Sequence, residues 1–345
     1  MGSNPTPGAI NFIQAGDYLH INMLDLIIVS ILIFILGVAI VKIYIVFAKD
    51  IFIAYDVFKI VKKPVVDLGG IPIMAIVVLG TSIYFILGYI SFNLVVGITL
   101  TLLIASLIGL IDDLKKDLPG WYKPASALLI GIPVILLRLY NPKLKFFGDI
   151  IFNIPIIYIL LILIGFSVAT NAVNMLDVVN GSASIGVAFI IILNIILSYF
   201  QGKNIIVGLI FLISTLSFLV FNIYPSRIFL GNVGAMLLGS MVAFISIYSG
   251  TEFLTVIAMY PFIVNGLFYL DKFRRFVERR VHGYKIAALN RDGLIEDMCE
   301  DGSPIVLLKY IVSVDPKSES TVILELTLLF LYSMTLSLII FFLFW

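Results

Sequence analysis

Long apolar runs separated by short polar segments dominate the chain from about residue 24 onward. A helix that crosses a bilayer needs about 20 mostly apolar residues, and an apolar run without strand-like alternation favours a helix over a barrel strand. The pattern therefore predicts an all-α polytopic membrane protein with about ten transmembrane helices. The predicted spans are about Leu24–Val46, Ile71–Ile90, Leu94–Ile111, Ala125–Leu139, Ile151–Val168, Ala183–Tyr199, Ile205–Phe221, Ala235–Tyr248, Phe253–Leu270 and Val322–Phe344.

The polar segments between and beside these runs define the domain organisation. Met1–Asn22 is a mixed polar N-terminal extension; M-G-S at its start is typical of a cloning sequence, which makes Met23 a candidate natural start. Residues 23–345 then form one transmembrane domain, in which Asp271–Ser320 is the longest polar loop. Tyr140–Asp149 is predicted to be a short extramembrane connection or hairpin. No internal repeat is visible, which gives no support to a transporter built from two symmetric halves.

Basic residues assign the two membrane faces. Loops after the odd-numbered spans hold 17 of the 22 Lys and Arg residues, counted from Lys49 onward, and the opposite face holds four. Since basic residues are enriched in cytoplasmic loops, we expect the odd-numbered loops in the cytoplasm and both termini outside, in the cell membrane if the organism is prokaryotic. Twelve of the 15 Asp residues fall in the same loops. The sequence therefore predicts a cytoplasmic site for a soluble polar ligand.

The composition agrees with a membrane protein and excludes several other kinds of protein and site. The chain is 61% hydrophobic and 12% charged, whereas soluble domains carry about 25% charged residues. A single cysteine, Cys299, excludes an internal disulfide, and two histidines leave no histidine cluster for zinc. The net charge of +1 gives no indication of a nucleic-acid partner.

The segment Asn171–Gly181, N-A-V-N-M-L-D-V-V-N-G, follows the fifth apolar run and carries a polar residue every third position. Those residues are Asn171, Asn174, Asp177 and Asn180. On a helix this spacing spreads them over one broad face, which is costly at a membrane boundary unless something polar binds to it. The alternative is a helix end with ordinary asparagine caps and a glycine stop.

Two further segments carry candidate chemistry near predicted span ends. Asp112 and Asp113 could bind a hard cation such as Mg²⁺, or Mn²⁺, or one of them could act as a base; alternatively they are a solvated anchor beside lysines. Lys123, next to Trp121 and Tyr122, could meet a lipid phosphate or belong to an interfacial aromatic belt.

The last two candidate segments follow the seventh and ninth runs. In Phe221–Gly234 polar side chains such as Asn222 and Asn232 lie among glycines that allow close approach of a ligand, and Phe229 could stack on a flat ring or simply pack. In the ninth loop four basic side chains could bind a diphosphate or sugar, or else lie on anionic lipid. They are Arg279, Arg280, His282 and Lys285.

Together these segments resemble the polyprenyl-phosphate N-acetylhexosamine-1-phosphate transferases, closest to the eukaryotic and archaeal UDP-GlcNAc–dolichyl-phosphate branch. The resemblance rests on I-D-D at Ile111–Asp113, T-N-A-V-N-M-L-D-V-V-N-G at Thr170–Gly181 and F-N-I-Y-P-S-R-I-F-L-G at Phe221–Gly231. It implies ten spans with both termini outside, and transfer of GlcNAc-1-phosphate from UDP-GlcNAc to a polyprenyl phosphate with release of UMP, assisted by Mg²⁺.

The same resemblance implies roles for individual residues. Asp112 and Asp113 would be the catalytic acidic pair, and Lys123 would face the lipid phosphate. Asn174 would be a metal ligand, while Asn180 and Phe229 would hold the uridine. Asn171, Asp177 and Asn222 are further candidate substrate contacts.

The sequence departs from the family pattern at two places. The family has an aspartate metal ligand after the glycine of the seventh loop, where this chain has Asn232, a neutral and weaker oxygen ligand. Asn232 is therefore expected to weaken or alter metal use. In the ninth loop the family's Arg-His-Arg cluster is not reproduced, although Arg280, His282 and Lys285 lie nearby.

Two other functions compete with this interpretation. A transporter of a polar solute would place ionisable residues near the bilayer midplane, whereas the polar residues here lie toward one face. An intramembrane prenyltransferase would carry two Asp-rich motifs, of which D-D-L-K-K-D faintly resembles one. The expected partners are UDP-GlcNAc, a polyprenyl or dolichyl phosphate, the lipid bilayer and, as an open alternative, a second copy in a homodimer.

Overall fold

The structure is a computed structural model that describes residues 23–56, 58–59, 62–115, 118–146, 151–273, 287–298 and 306–345. The predicted N-terminal extension lies outside the described residues. The helices, in chain order, are α1 Met23–Ala48, α2 Gly70–Ile86, α3 Phe92–Leu114, α4 Tyr122–Ala127, α5 Ile132–Leu136, α6 Pro155–Leu176, α7 Ser182–Phe200, α8 Ile206–Asn222, α9 Gly231–Ser249, α10 Glu252–Ala258, α11 Tyr260–Phe273, α12 Leu307–Val312 and α13 Glu319–Phe344.

Six of these helices, α1, α3, α6, α7, α9 and α13, are long and apolar enough to cross a membrane. Shorter apolar helices lie at α2 and α8, and a composite helix covers Tyr122–Leu136, where the 3₁₀ turn Leu128–Gly131 joins α4 to α5. The expectation of a helical polytopic membrane protein is confirmed. Each of the ten predicted runs coincides with a helix or helix pair, while the number of crossings stays a prediction.

Three short antiparallel hairpins lie between helices in the described part of the chain. Strand β1, Ile53–Tyr55, pairs with β2, Pro64–Val66. Strand β3, Leu144–Lys145, pairs with β4, Ile151–Phe152, and β5, Ala287–Leu289, pairs with β6, Ile295–Asp297. The predicted start of the fifth span was wrong: Ile151 belongs to β4, and α6 begins at Pro155 because proline suits the first turn of a helix.

Helix α9 is the most buried of the six long helices and packs against α3 and α6. Small residues allow this close approach. A Cβ on Gly239 would lie 2.5 Å from Thr170 Cα of α6, and a Cβ on Gly109 of α3 would lie 2.6 Å from the Asn232 carbonyl oxygen. Small residues at such positions let helix backbones pack closely inside a membrane.

This packing sets the positions of the polar residues at one end of the bundle. Gly109, Asp112 and Asp113 share a face of α3, because residues three and four positions apart are neighbours on a helix. Since Gly109 lies against the backbone of Asn232, Asp113, one turn further on, reaches the N-terminus of α9.

Candidate functional site

The candidate site lies where the C-terminal end of α3 meets the beginning of α4 and the N-terminus of α9. Lys123 Nζ of α4 forms a salt bridge of 2.7 Å with Asp112 Oδ2 and donates a hydrogen bond of 3.1 Å to Asn232 Oδ1. Only 4% of the Asp112 side chain and 16% of the Lys123 side chain are exposed. Removing either partner of such a buried pair would leave an uncompensated charge.

Asp113 completes the same network from the other side of Asn232. Asn232 Nδ2 donates to Asp113 Oδ1 at 2.7 Å. The backbone N–H groups of Asn232 and Val233 also donate to the Asp113 carboxylate, at 3.4 and 3.2 Å. Asp113 therefore caps the first turn of α9, where unpaired N–H groups and the helix dipole favour an anion.

Gly231 lets a third carboxylate come close to this pair. Its φ is +66°, and a Cβ there would lie 2.9 Å from Asp67 Oδ1 and 3.4 Å from Asp113 Oδ2. Only glycine fits this conformation and this space without strain. Burial raises the pKa of Asp67 above its ordinary value, although a hydrogen bond from Leu68 N opposes the shift. Asp67 and Asp113 thus hold two carboxylates near one point.

The segment Asn171–Gly181 covers the last six residues of α6 and the turn that follows the helix. Asn171 Nδ2 donates back to Ser167 O of its own helix, and Asn174, one turn later, is partly exposed. Asp177 follows the last residue of α6. Burial and the nearby Asp67 carboxylate raise the pKa of Asp177 to about 7, although its side chain keeps partial contact with solvent. Asp177 therefore interacts electrostatically with Asp67.

A second polar cluster surrounds Asn180. Its Nδ2 donates to Asp56 Oδ2 at 2.8 Å, and its backbone N–H donates to Glu319 Oε1 at 3.1 Å. Lys59 Nζ lies 3.5 Å from Asp56 Oδ2 and 4.9 Å from the centroid of the Tyr224 ring. The cluster ties the first loop, the segment after α6 and the start of α13 together.

The segment between α8 and α9 is fixed by its own hydrogen bonds. Asn222 is buried; its Oδ1 accepts from Ser184 Oγ at 2.9 Å and its Nδ2 donates to Ile228 O at 2.9 Å. The backbone N–H of Phe229 donates to Val66 O, and its carbonyl oxygen accepts from Gly69 N. The Phe229 side chain is partly exposed. The observed contacts of Asn222 hold the loop, and its contact with substrate stays a prediction.

The structure brings together Asp112, Asp113, Lys123 and Asn232, which the sequence offered from three separate motifs. Arg280, His282 and Lys285 lie outside the described residues. Sequence reasoning missed Asp56, Asp67 and Glu319 as site residues. Asp56 and Asp67 share a loop with five other charged residues, and neither spacing nor a motif distinguishes them.

The carboxylates near Gly231 fit a divalent cation in part. Among the described residues, no three His, Cys, Asp or Glu side chains are grouped as in a metal site. Mg²⁺, however, is commonly held by one or two carboxylates together with substrate phosphates. Two carboxylates beside the Asn232 amide match part of that donor set. Asn232 Oδ1 accepts from Lys123, so a cation would compete with this lysine for the amide oxygen.

Comparison with known proteins identifies relatives of this chain. The family model for glycosyl transferase family 4 matches residues 95–250. A putative UDP-N-acetylglucosamine–dolichyl-phosphate N-acetylglucosaminephosphotransferase of Sulfolobus acidocaldarius is 29% identical over 62% of this chain and 68% of its own length. A protein of the same description from Saccharolobus solfataricus is 30% identical over 63% of this chain and 69% of its own length. A phospho-N-acetylmuramoyl-pentapeptide-transferase of Dictyoglomus thermophilum is 26% identical over 61% of this chain and 68% of its own length.

Proposed function

Because the chain belongs to glycosyl transferase family 4, a family of membrane phosphosugar transferases, we propose that it transfers GlcNAc-1-phosphate from UDP-GlcNAc to a polyprenyl phosphate of the dolichyl type, releasing UMP. The observation that carries the proposal is the continuous network Asp112–Lys123–Asn232–Asp113. It joins a lysine, two carboxylates and a helix N-terminus at one end of the bundle. Two archaeal relatives whose names specify UDP-N-acetylglucosamine and dolichyl phosphate support the substrate pair.

In the proposed reaction an oxygen of the lipid phosphate attacks the β-phosphorus of UDP-GlcNAc. A new P–O bond forms there, and the bond from the β-phosphorus to the oxygen bridging it to the α-phosphorus breaks. UMP leaves with that electron pair, and GlcNAc-1-phosphate remains on the lipid as a diphosphate. Catalysis of such a transfer depends mainly on positioning and on stabilising negative charge.

The described residues supply both requirements. Lys123 offers a cation to the lipid phosphate, and Asp112 fixes its position through the buried salt bridge. Asp113 holds the start of α9 in place. We assign the uridine to Asn180 and Phe229, and further substrate contacts to Asn171, Asp177, Asn222, Arg280, His282 and Lys285.

Magnesium, with manganese as the alternative, would neutralise the diphosphate when bound. We assign it to the space beside Gly231, where Asp67 and Asp113 would supply carboxylate oxygens and Asn174 and Asn232 would supply amide oxygens. Asn232 is the weaker of these donors because it is neutral and already bonded to Lys123.

We also propose ten membrane crossings, with this site at the cytoplasmic face and both termini outside. The 17-to-four distribution of basic residues supports this orientation.

Purified protein with labelled UDP-GlcNAc, polyprenyl phosphate and Mg²⁺ tests the proposal. We expect UMP release that requires both substrates, a loss of at least about 100-fold in Lys123→Met because a buried charge partner is removed, and near wild-type activity in Lys115→Met. Lys115 is an exposed lysine at the end of α3 and serves as the matched control.

A phospho-N-acetylmuramoyl-pentapeptide donor is the competing substrate, because one relative is named for it. UMP release without lipid phosphate, or preference for the competing donor, would overturn the assigned reaction. Uptake of labelled sugar into sealed vesicles without UMP release would favour a transporter instead.

A further inference from the structure

Asn180 is held on two sides by acidic residues that no motif in the sequence predicts. Asp56 Oδ2 accepts from Asn180 Nδ2, and Glu319 Oε1 accepts from the Asn180 backbone N–H. All three residues are at least nine-tenths buried, with 6% of Asp56, 7% of Asn180 and 5% of Glu319 exposed. Asp56 and Glu319 come from opposite ends of the chain and lie outside the matched residues 95–250.

This arrangement determines which end of the Asn180 amide is free. An ionised carboxylate only accepts hydrogen bonds, so the NH₂ group must be the end that faces Asp56. The Glu319 carboxylate also interacts with the Asn180 side chain, which places a second acceptor beside the same NH₂ group. The amide oxygen Oδ1 is consequently the group that Asn180 can offer to a ligand.

We propose that Asp56 is a positioning residue that makes Asn180 an obligate hydrogen-bond acceptor and thereby selects uracil over cytosine in the nucleotide donor. This inference rests on the proposed function, in which Asn180 contacts the base. Uracil presents an N–H donor at ring position 3, whereas cytosine presents a lone pair there. An asparagine with a freely rotating amide could serve either base. One whose NH₂ is held by a carboxylate presents Oδ1, which would accept from the N–H at position 3 of uracil and would meet a lone pair at position 3 of cytosine.

The neighbouring backbone makes the effect of a substitution specific. Phe58 N donates to Asp56 Oδ1 at 2.9 Å. In Asp56→Asn this N–H would still require an oxygen, so the new NH₂ group would face Asn180. The Asn180 amide would then rotate to present its own oxygen to position 56 and its NH₂ to the base.

Calorimetric titration of the full-length detergent-solubilised protein with UDP and with CDP tests the proposal. We expect wild type to bind UDP about 10- to 100-fold more tightly than CDP, the range of one well-placed hydrogen-bonding pair to a base. In Asp56→Asn the preference should fall by at least tenfold. Asp56→Glu keeps an acceptor-only carboxylate and should keep the preference. Asp50→Asn, the same change at an exposed position of this loop, should leave it unaltered.

Each result has a definite meaning. Asp56→Asn with an unchanged UDP preference and a wild-type melting temperature would overturn the inference while leaving the proposed function intact. If Asp56→Asn does not fold, Asp56→Ala gives the same test, because it removes the acceptor that holds the Asn180 NH₂ group. A wild-type protein that binds neither nucleotide and releases no UMP would overturn the proposed function and this inference with it.

Discussion

Asn232 is the residue through which the two acidic side chains of α3 are connected. Its amide oxygen accepts from Lys123, and its NH₂ group donates to Asp113 at 2.7 Å. A carboxylate at this position would keep the contact with Lys123 but would meet Asp113 as a like charge. The amide therefore stabilises the site when no cation is bound, and it lowers the charge available to a cation.

Replacement of Asn232 by aspartate should separate these two effects. We expect Asn232→Asp to lower the melting temperature without divalent cations, because two carboxylates would then repel each other inside the protein. Mg²⁺ should restore the melting temperature and raise transferase activity above that of wild type. Melting curves and UMP release with and without Mg²⁺ measure both. Asn204→Asp, a change in the loop before α8, is the control; unchanged activity in Asn232→Asp would remove residue 232 from the site.

The raised pKa of Asp177 predicts that the stability of the folded protein depends on pH. Its pKa is raised from the ordinary 3.8 to about 7, first by burial and then by Asp67. The folded state therefore binds more protons than the unfolded state between about pH 4 and pH 7, and stability contributed by this group falls as pH rises through that window.

We expect the melting temperature of Asp177→Asn to rise relative to that of wild type as the pH increases from 5 to 8. The exposed substitution Asp50→Asn should show a constant difference. A difference between Asp177→Asn and wild type that does not vary with pH would contradict this account of the site's electrostatics.

At the scale of elements, the contact between α6 and α9 aligns the segments that carry the site. Gly239 approaches the Thr170 backbone so closely that a Cβ would lie 2.5 Å from Thr170 Cα, whereas a Cβ on Gly165 of α6 would meet nothing within 4 Å. These two glycines therefore form a matched pair for testing the packing.

We expect Gly239→Ala to destabilise the protein by about 1–3 kcal/mol, the usual cost of overpacking a rigid contact, and to reduce transferase activity by separating α9 from α6. Gly165→Ala should be neutral or slightly stabilising, because alanine is the better helix former. Thermal unfolding in detergent measures both variants. Equal melting temperatures for the two would show that the backbones do not lie this close.

The elements themselves were largely predictable, because long apolar runs admit few structures other than membrane helices. Residues Ile151–Phe152 were assigned to a helix because apolar strand residues extend the same run. The break in Tyr122–Leu136 was missed because apolar composition carries no signal for a 3₁₀ turn.

The site was predictable where motifs mark it. Asp112, Asp113, Lys123 and Asn232 were all identified from sequence and do meet. Asp56, Asp67 and Glu319 were not, because their contacts depend on how distant segments fold together; Asp56 and Glu319 lie 124 and 139 residues from Asn180.

At the scale of the whole molecule, the proposed orientation places the acidic site in the cytoplasm. Alkaline phosphatase fused after Trp345 should be active because it would be exported, and the same enzyme fused after Lys115 should be inactive. Green fluorescent protein at the same two positions should give the opposite result and controls for expression. Reversed signals at both positions would place the site outside the cell and contradict the orientation.

The central claim is that a phosphosugar, and not a bare sugar or a nucleotide, is transferred to the lipid. UDP-GlcNAc labelled with ³²P in either the α- or the β-phosphate, incubated with the protein and polyprenyl phosphate, tests it most directly. The account predicts that β-label appears in the organic-extractable lipid and α-label in UMP. Both labels remaining together in UDP, or β-label released as inorganic phosphate, would contradict it.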